Sequence, residues 1–148
     1  EGVSTKISFG DLKKPKKVGS ILFVCKQKPV STQIKKYLKD ICRIQLDFMV
    51  KGFAERLGSN VHKITLRDTR SRWGSCSNDA NLMFSWRLIM APENILAYVA
   101  AHEVAHLKHM NHSKDFWETV EYLFGPYKNE RTWLKQSGSA LHRYKFES

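Results

Sequence analysis

The chain has 148 residues, 42% of them apolar and 26% charged, which is the balance of one ordinary globular domain. No stretch approaches the ~20 consecutive apolar residues of a helical bilayer span, and the first residues lack the apolar core of an export signal. Three scattered cysteines (Cys25, Cys42 and Cys76) form no C-x-x-C pair. Fibrous, membrane-spanning and disulfide-scaffold classes are therefore excluded, and a reducing, cytoplasmic setting is expected. The net charge of +11 resides wholly in the first half: residues 1–72 carry 17 basic and 6 acidic side chains, residues 73–148 carry 8 of each.

In chain order, residues 1–30 read as a basic N-terminal arm. A polar loop over 1–19 contains Lys13-Lys14-Pro15-Lys16-Lys17, and a short strand follows at 21–25. Residues 31–148 read as the folded domain. Ser31 or Thr32 is placed to cap a long helix running to about Leu57, with Ile34, Leu38, Ile41, Phe48, Met49 and Phe53 on or near one face and Gly58 as its stop. Ile64 and Leu66 alternate in a half-buried strand over 61–68. Residues 70–76 read as a second strand or its approach, 77–81 as a turn, and 82–89 as a third strand. Pro92 suits the first position of a helix reaching about Lys108. Ser113 caps another helix, ended by Gly125-Pro126, and a last one spans 127–136. The sum is an α+β domain: a long helix, a small antiparallel sheet, then three helices.

Chemistry is concentrated in Ala101-His102-Glu103-Val104-Ala105-His106-Leu107-Lys108-His109-Met110-Asn111-His112, which holds four of the six histidines. At this composition H-E-x-x-H arises by chance in about one such chain in a hundred. Residues i and i+4 share a helical face, so His102 and His106 can present two imidazoles to one metal ion. Glu103 is turned about 100° from His102, which suits it to a water beside the metal rather than to the metal itself. It then serves as general base and afterwards passes the proton to a leaving amine. The helix around these residues is apolar on nearly every side, so two histidines and a glutamate inside it demand partners, and a zinc ion would supply one.

The third ligand is a choice among several residues. His109 continues the row of His102 and His106, but three ligands in a straight row cannot surround a tetrahedral ion. His112 can curl back if the helix ends near Met110 and Asn111 turns the chain in the left-handed conformation. Its offset of six from His106 matches the H-E-x-x-H-x-x-G-x-x-H pattern, with His109 at the glycine position. The rivals are Glu118 and Glu121 on the next helix. His112 is preferred, which leaves His109 to support the site or to sit as a cation at the helix end.

Ser71-Arg72-Trp73-Gly74-Ser75-Cys76-Ser77, Trp86-Arg87-Leu88-Ile89-Met90-Ala91-Pro92, the histidine segment through Ser113, and Phe116-Trp117 together resemble the YgjP-like zinc metallopeptidase domain. That family is similar in its core to SprT-like and Wss1-like proteases. The resemblance covers about residues 61–136, with a looser echo in the helix 31–57. It implies a zincin-like fold, Zn2+ on His102, His106 and His112, Glu103 as catalytic base, and a protein or peptide substrate. Ser85 stands where the family commonly has Asn, and Ala97 where it often has Asp; either difference bears on substrate contacts. The N-terminal β-rich portion usual in the family is short in this chain.

The remaining features have plainer readings. Cys76 is a small buried hydrophobe rather than a nucleophile, and Gly74 marks a bulge or a close backbone approach. The strand carrying Gly74 is a candidate to pair with an extended substrate peptide if it flanks the metal. Arg87 is a candidate oxyanion donor, though a salt bridge to an acidic neighbour is favoured. Trp117, Tyr122 and Trp133 read as core aromatics, and Tyr98 and Tyr127 as candidate phenols for the site. Lys35, Lys36 and Lys39, with Arg67, Arg70 and Arg72, could meet a phosphate backbone, so nucleic-acid association is a further expectation. The alternative to an enzyme is a basic nucleic-acid- or protein-binding module whose zinc is structural, closed by a fourth ligand from Glu118, Glu121 or Cys76.

Overall fold

A computed structural model of the chain describes residues 6–10, 16–18, 21–25 and 29–143, with side chains from 29 to 142. Three strands, β1 (Lys6–Gly10), β2 (Lys16–Val18) and β3 (Ile21–Cys25), form one sheet in the order β1-β3-β2. Strand β1 runs parallel to β3, with Lys6 opposite Ile21, and β2 runs antiparallel to it, with Lys17 opposite Leu22. The strand at 21–25 is as expected. Parts of the stretch read as a polar loop are instead its two neighbours, because β3 offers both edges for pairing and a lone strand is not stable in water.

Helix α1 (Val30–Leu57) has Pro29 at its N-cap position, two residues before Ser31, and no side chain caps it; Ser31 and Thr32 lie inside its first turn. Proline's fixed φ suits the entry to a helix without a hydroxyl cap. The other end is as read: Gly58 takes a left-handed φ of 69°, and the N–H groups of Gly58 and Ser59 reach back to the carbonyls of Glu55 and Ala54. The buried stripe is Cys42, Leu46, Val50 and Ala54, spaced by four. Leu38, Ile41, Met49 and Phe53 flank it, whereas Phe48 is 82% exposed and belongs to another face.

A second sheet comprises β4 (Lys63–Arg67), β5 (Gly74–Cys76) and β6 (Asn81–Ser85) in the order β4-β6-β5. It is mixed, not antiparallel. Strand β5 pairs antiparallel with β6, with Ser75 opposite Met83, while β4 pairs parallel with β6, with Thr65 opposite Met83. Residues 77–80 close a tight turn between β5 and β6, with Ala80 at φ 62°. The link 68–73 therefore carries the chain past β6, which separates β4 from β5. Ile64, Leu66, Leu82 and Phe84 face the helices.

The strand expected over 82–89 stops at Ser85, and Trp86–Met90 forms a 3-10 turn. Ser85 is fully buried and its hydroxyl accepts from the N–H of Arg87, so its side chain faces the core rather than a substrate. Arg87 is only 5% exposed. It donates two bonds to the Asp68 carboxylate at 2.7 and 3.1 Å and one to the Leu141 carbonyl at 3.0 Å. The Arg87 hydrogen bond in turn holds the Asp68 carboxyl below its usual range. Arg87 is thus committed to the salt bridge, which ties the crossing link and the C-terminal turn to the sheet.

Helix α2 (Glu93–Ala105) is the central element, with nine of its thirteen residues buried. It packs against α1, against β5, and against helices α3 (Lys114–Phe124) and α4 (Lys128–Ser137). No helix among the described residues is long and apolar enough to cross a membrane. The architecture is α+β, with the H-E-x-x-H helix enclosed.

Candidate metal centre

The local chain explains how three histidines meet. Helix α2 ends at Ala105 rather than near Lys108. Its last turn tightens: the N–H of Leu107 bonds Val104 at 2.9 Å, and those of Lys108 and His109 bond Ala105 at 3.1 Å. The chain then bends, and the Ser113 hydroxyl accepts from the Phe116 N–H to start α3, which fixes His112 just before the cap. Asn111 has no positive φ; ending the helix a turn early makes the left-handed residue unnecessary.

His102, His106 and His112 each offer a ligand nitrogen, and these atoms lie within 4.8 Å of one another. Their ring centroids stand 5.1, 5.3 and 4.9 Å apart. Among the described residues no Cys, Asp or Glu joins the group. Glu118 is exposed and faces Lys114 at 3.8 Å, and Glu121 is exposed as well. Of the sequence candidates for a third donor, His112 is the one gathered with the pair.

The donors suit a metal ion. Burial, reinforced by His106 and His112, drives the His102 pKa down to about 3, and burial lowers His106 too, so both rings keep free lone pairs at neutral pH. His106 Nδ1 lies 2.9 Å from the carbonyl oxygen of His109. A carbonyl only accepts, so Nδ1 bears the proton and Nε2 is left as the donor. His109 therefore contributes through its backbone, a role that side-chain spacing does not reveal. Phe116 stacks on His106 at 4.4 Å and meets His102 edge-on at 4.9 Å, holding both rings in place.

Glu103 is 5% exposed, and burial raises its carboxyl pKa to about 8, with Arg72 acting in the opposite direction. Its close neighbour is the backbone of β5. A methyl group on Gly74 would fall 2.8 Å from Glu103 Oε2 and 2.9 Å from Cγ, so only glycine leaves room. This is the close approach expected of Gly74, and β5 lies at the edge of its sheet, not at its centre. The Cys76 thiol is pushed up to about 11, first by burial and then by Glu103, and stays protonated.

A layer of aromatic rings borders the histidines on the α3 and α4 side. Trp117 stacks near His112 at 5.8 Å and against Tyr127 at 5.1 Å, and Tyr127 stacks on Tyr98 at 6.0 Å. The Tyr98 hydroxyl is 3.4 Å from His102 Nδ1, and burial pushes its pKa to about 12, so it remains a phenol. Trp117 thus borders the metal centre rather than only filling the core, and Tyr122 is exposed, packed against Arg56. Sequence reading missed Arg131 altogether: its guanidinium lies 4.3 Å from the Trp117 ring, and two helices separated by a loop carry the pair.

Comparison with known proteins fits this geometry. In the search of solved structures, the fold is similar to the metallopeptidase zymogen of Pyrococcus abyssi abylysin, at 22% identity and a TM-score of 0.54 over 62% of this chain and 94% of that one. It is also similar to the metallopeptidase zymogen of Methanocaldococcus jannaschii jannalysin, at 21% identity and a TM-score of 0.51 over 64% and 94%. At such identities the likeness speaks for the fold. No curated protein matches the chain in sequence. The model of the YgjP-like metallopeptidase domain matches residues 18–137, and on that match, spanning most of its length, the chain belongs to the YgjP-like metallopeptidase family.

Proposed function

We propose that His102, His106 and His112 hold one zinc ion and that Glu103 moves the proton in peptide-bond hydrolysis. The observation that carries this reading is a set of three histidine donors, joined by no fourth ligand among the described residues, beside a buried carboxylate. A structural zinc is closed by four protein ligands, whereas a catalytic one keeps a position open. Three imidazoles suit zinc among the common divalent ions. The metal, when bound, supplies Lewis acidity that brings a water's pKa to about 7 and polarises a carbonyl.

The protein's own groups do the rest. Glu103, whose carboxylate form a bound cation would favour against the effect of burial, takes a proton from the attacking water and later delivers it to the nitrogen of the leaving amine. The backbone of β5, an edge strand passing Glu103 at Gly74, is suited to hold an extended peptide by main-chain bonding. Zinc analysis of chain purified without chelator should give about one ion, and His106→Ala near none. Negligible metal in both would overturn the reading.

A second activity has its own support. On the solvent face of the second sheet, Lys63, Arg67 and Arg72 border a groove of ≈ 610 Å³ with Thr65, Ser75 and Asn81, and among the described residues no carboxylate lines it. Such a surface fits a nucleic-acid backbone. Binding of a single-stranded oligonucleotide should weaken with salt, with a log–log slope of about −2 for three contacts. Arg67→Ala should reduce the magnitude of that slope by about 0.7. A salt-independent affinity would dismiss the idea.

A further inference from the structure

Helix α4 carries a charge arrangement that the metal centre does not use. Lys128, Arg131 and Lys135 stand three and four residues apart, on one face. With Tyr127 and Thr132 they line a groove of ≈ 270 Å³. The helix's acidic residue, Glu130, is turned away from them: it is 7% exposed and its carboxylate accepts from the side-chain amide of Asn94 at 3.2 Å. Among the described residues no carboxylate forms an ion pair with these three cations.

Arg131 differs from the two lysines in its setting. Its guanidinium sits 4.3 Å from the centre of the Trp117 ring, and the other stacking partners of that ring are Tyr127 and His112. Arg131 and His112 thus both lie against the Trp117 ring, which places the cation one shared ring from a histidine of the candidate metal centre. Its charge also reaches His102 and Tyr98. A guanidinium held against an indole keeps a planar fork of N–H donors that can grip a carboxylate in two parallel bonds. A lysine on a mobile stem has no such preorganisation.

We propose that Arg131, assisted by Lys128, is a specificity residue that receives a carboxylate of the substrate, either an acidic side chain or the peptide's own C-terminus, close to the bond to be cut. The proposal rests on the peptidase reading for the substrate being a peptide, and its test is read by binding rather than turnover.

Three acetylated alanine-based hexapeptides serve as probes: one with glutamine and an amidated end, one with glutamate and an amidated end, and one with glutamine and a free C-terminus. Their Kd values are measured by calorimetry on the zinc-loaded Glu103→Gln chain, which holds them uncut. One of the two carboxylate peptides should bind about 10-fold tighter or more than the neutral one. Which of them gains identifies the source of the carboxylate. Adding Arg131→Met, which keeps an apolar stem over Trp117, should erase that gain and leave the neutral peptide's Kd unchanged. Arg131→Lys, with the charge kept and the fork lost, should retain a smaller gain. Equal affinities, no measurable binding of any peptide, or a gain that survives Arg131→Met would overturn the proposal. A carboxylate gain in a chain whose parent cuts no peptide would instead sink the peptidase reading and leave the subsite standing.

Discussion

Glu103→Gln should keep about one zinc per chain and lose turnover by about 10²- to 10⁴-fold, the usual contribution of a positioned general base. Glutamine preserves the shape beside Gly74 but cannot take a proton. The metal content should hold, because Glu103 is not among the gathered donors. The same substitution has a second consequence in the metal-free chain. Burial raises the Glu103 pKa in the fold from 4.5 to about 8, so between those pH values the folded chain holds a proton that the unfolded chain has released. Stability then falls as pH rises through that window. A residue that cannot ionise removes this fall, while the contributions of His102 and His106 stay common to both chains. Metal-free Glu103→Gln should therefore melt above the metal-free parent at pH 8, with the gap closing towards pH 5. Unchanged peptidase activity would remove Glu103 from the mechanism, and parallel melting curves would mean that its carboxyl is not buried.

The gathering of the three histidines was legible in the sequence because they lie within eleven residues, on one helix and the turn that ends it. Spacing along a helix fixes which side chains share a face, so His102 and His106 needed no knowledge of the rest of the chain. His112 depended on the turn, and Ser113, a recognisable cap, pinned it. What spacing could not give was the route: the helix ends at Ala105 and Asn111 keeps an ordinary φ, because backbone bonds in the last turn do the work assigned to a left-handed residue. The sheet was misread for a different reason. Alternation of Ile64 with Leu66 reports a buried face but carries no information on partner or direction, so the insertion of β6 between β4 and β5 was invisible. In α1 the large apolar residues suggested a face that includes Phe48, whereas the buried stripe runs through Cys42 and Ala54, residues too small to stand out. Arg131 had no local signal either, since its meaning comes from Trp117 on another helix.

Gly74→Ala tests the contact that joins the sheet to the chemistry. The added methyl would stand 2.8 Å from Glu103 Oε2, 2.9 Å from Cγ and 3.1 Å from Cδ. These atoms are buried, and Cγ is near the root of the side chain, so the carboxylate cannot simply swing clear. Either Glu103 shifts or β5 moves outward from α2. Both displace the base relative to the substrate strand, and a misplacement of about 1 Å can lower the rate by about 10²-fold. Overpacking should also reduce stability by about 1–3 kcal/mol, read as a lower midpoint in urea. Zinc content should be unchanged, because the atoms nearest the methyl all belong to Glu103, which is not among the gathered donors. The double variant separates the two roles of this contact. If Gly74 acts through Glu103, adding Gly74→Ala to Glu103→Gln should reduce the residual turnover little further, although it should still lower the midpoint. Rate losses that multiply in full would mean that Gly74 serves the reaction by another path, such as the hold of β5 on the peptide itself.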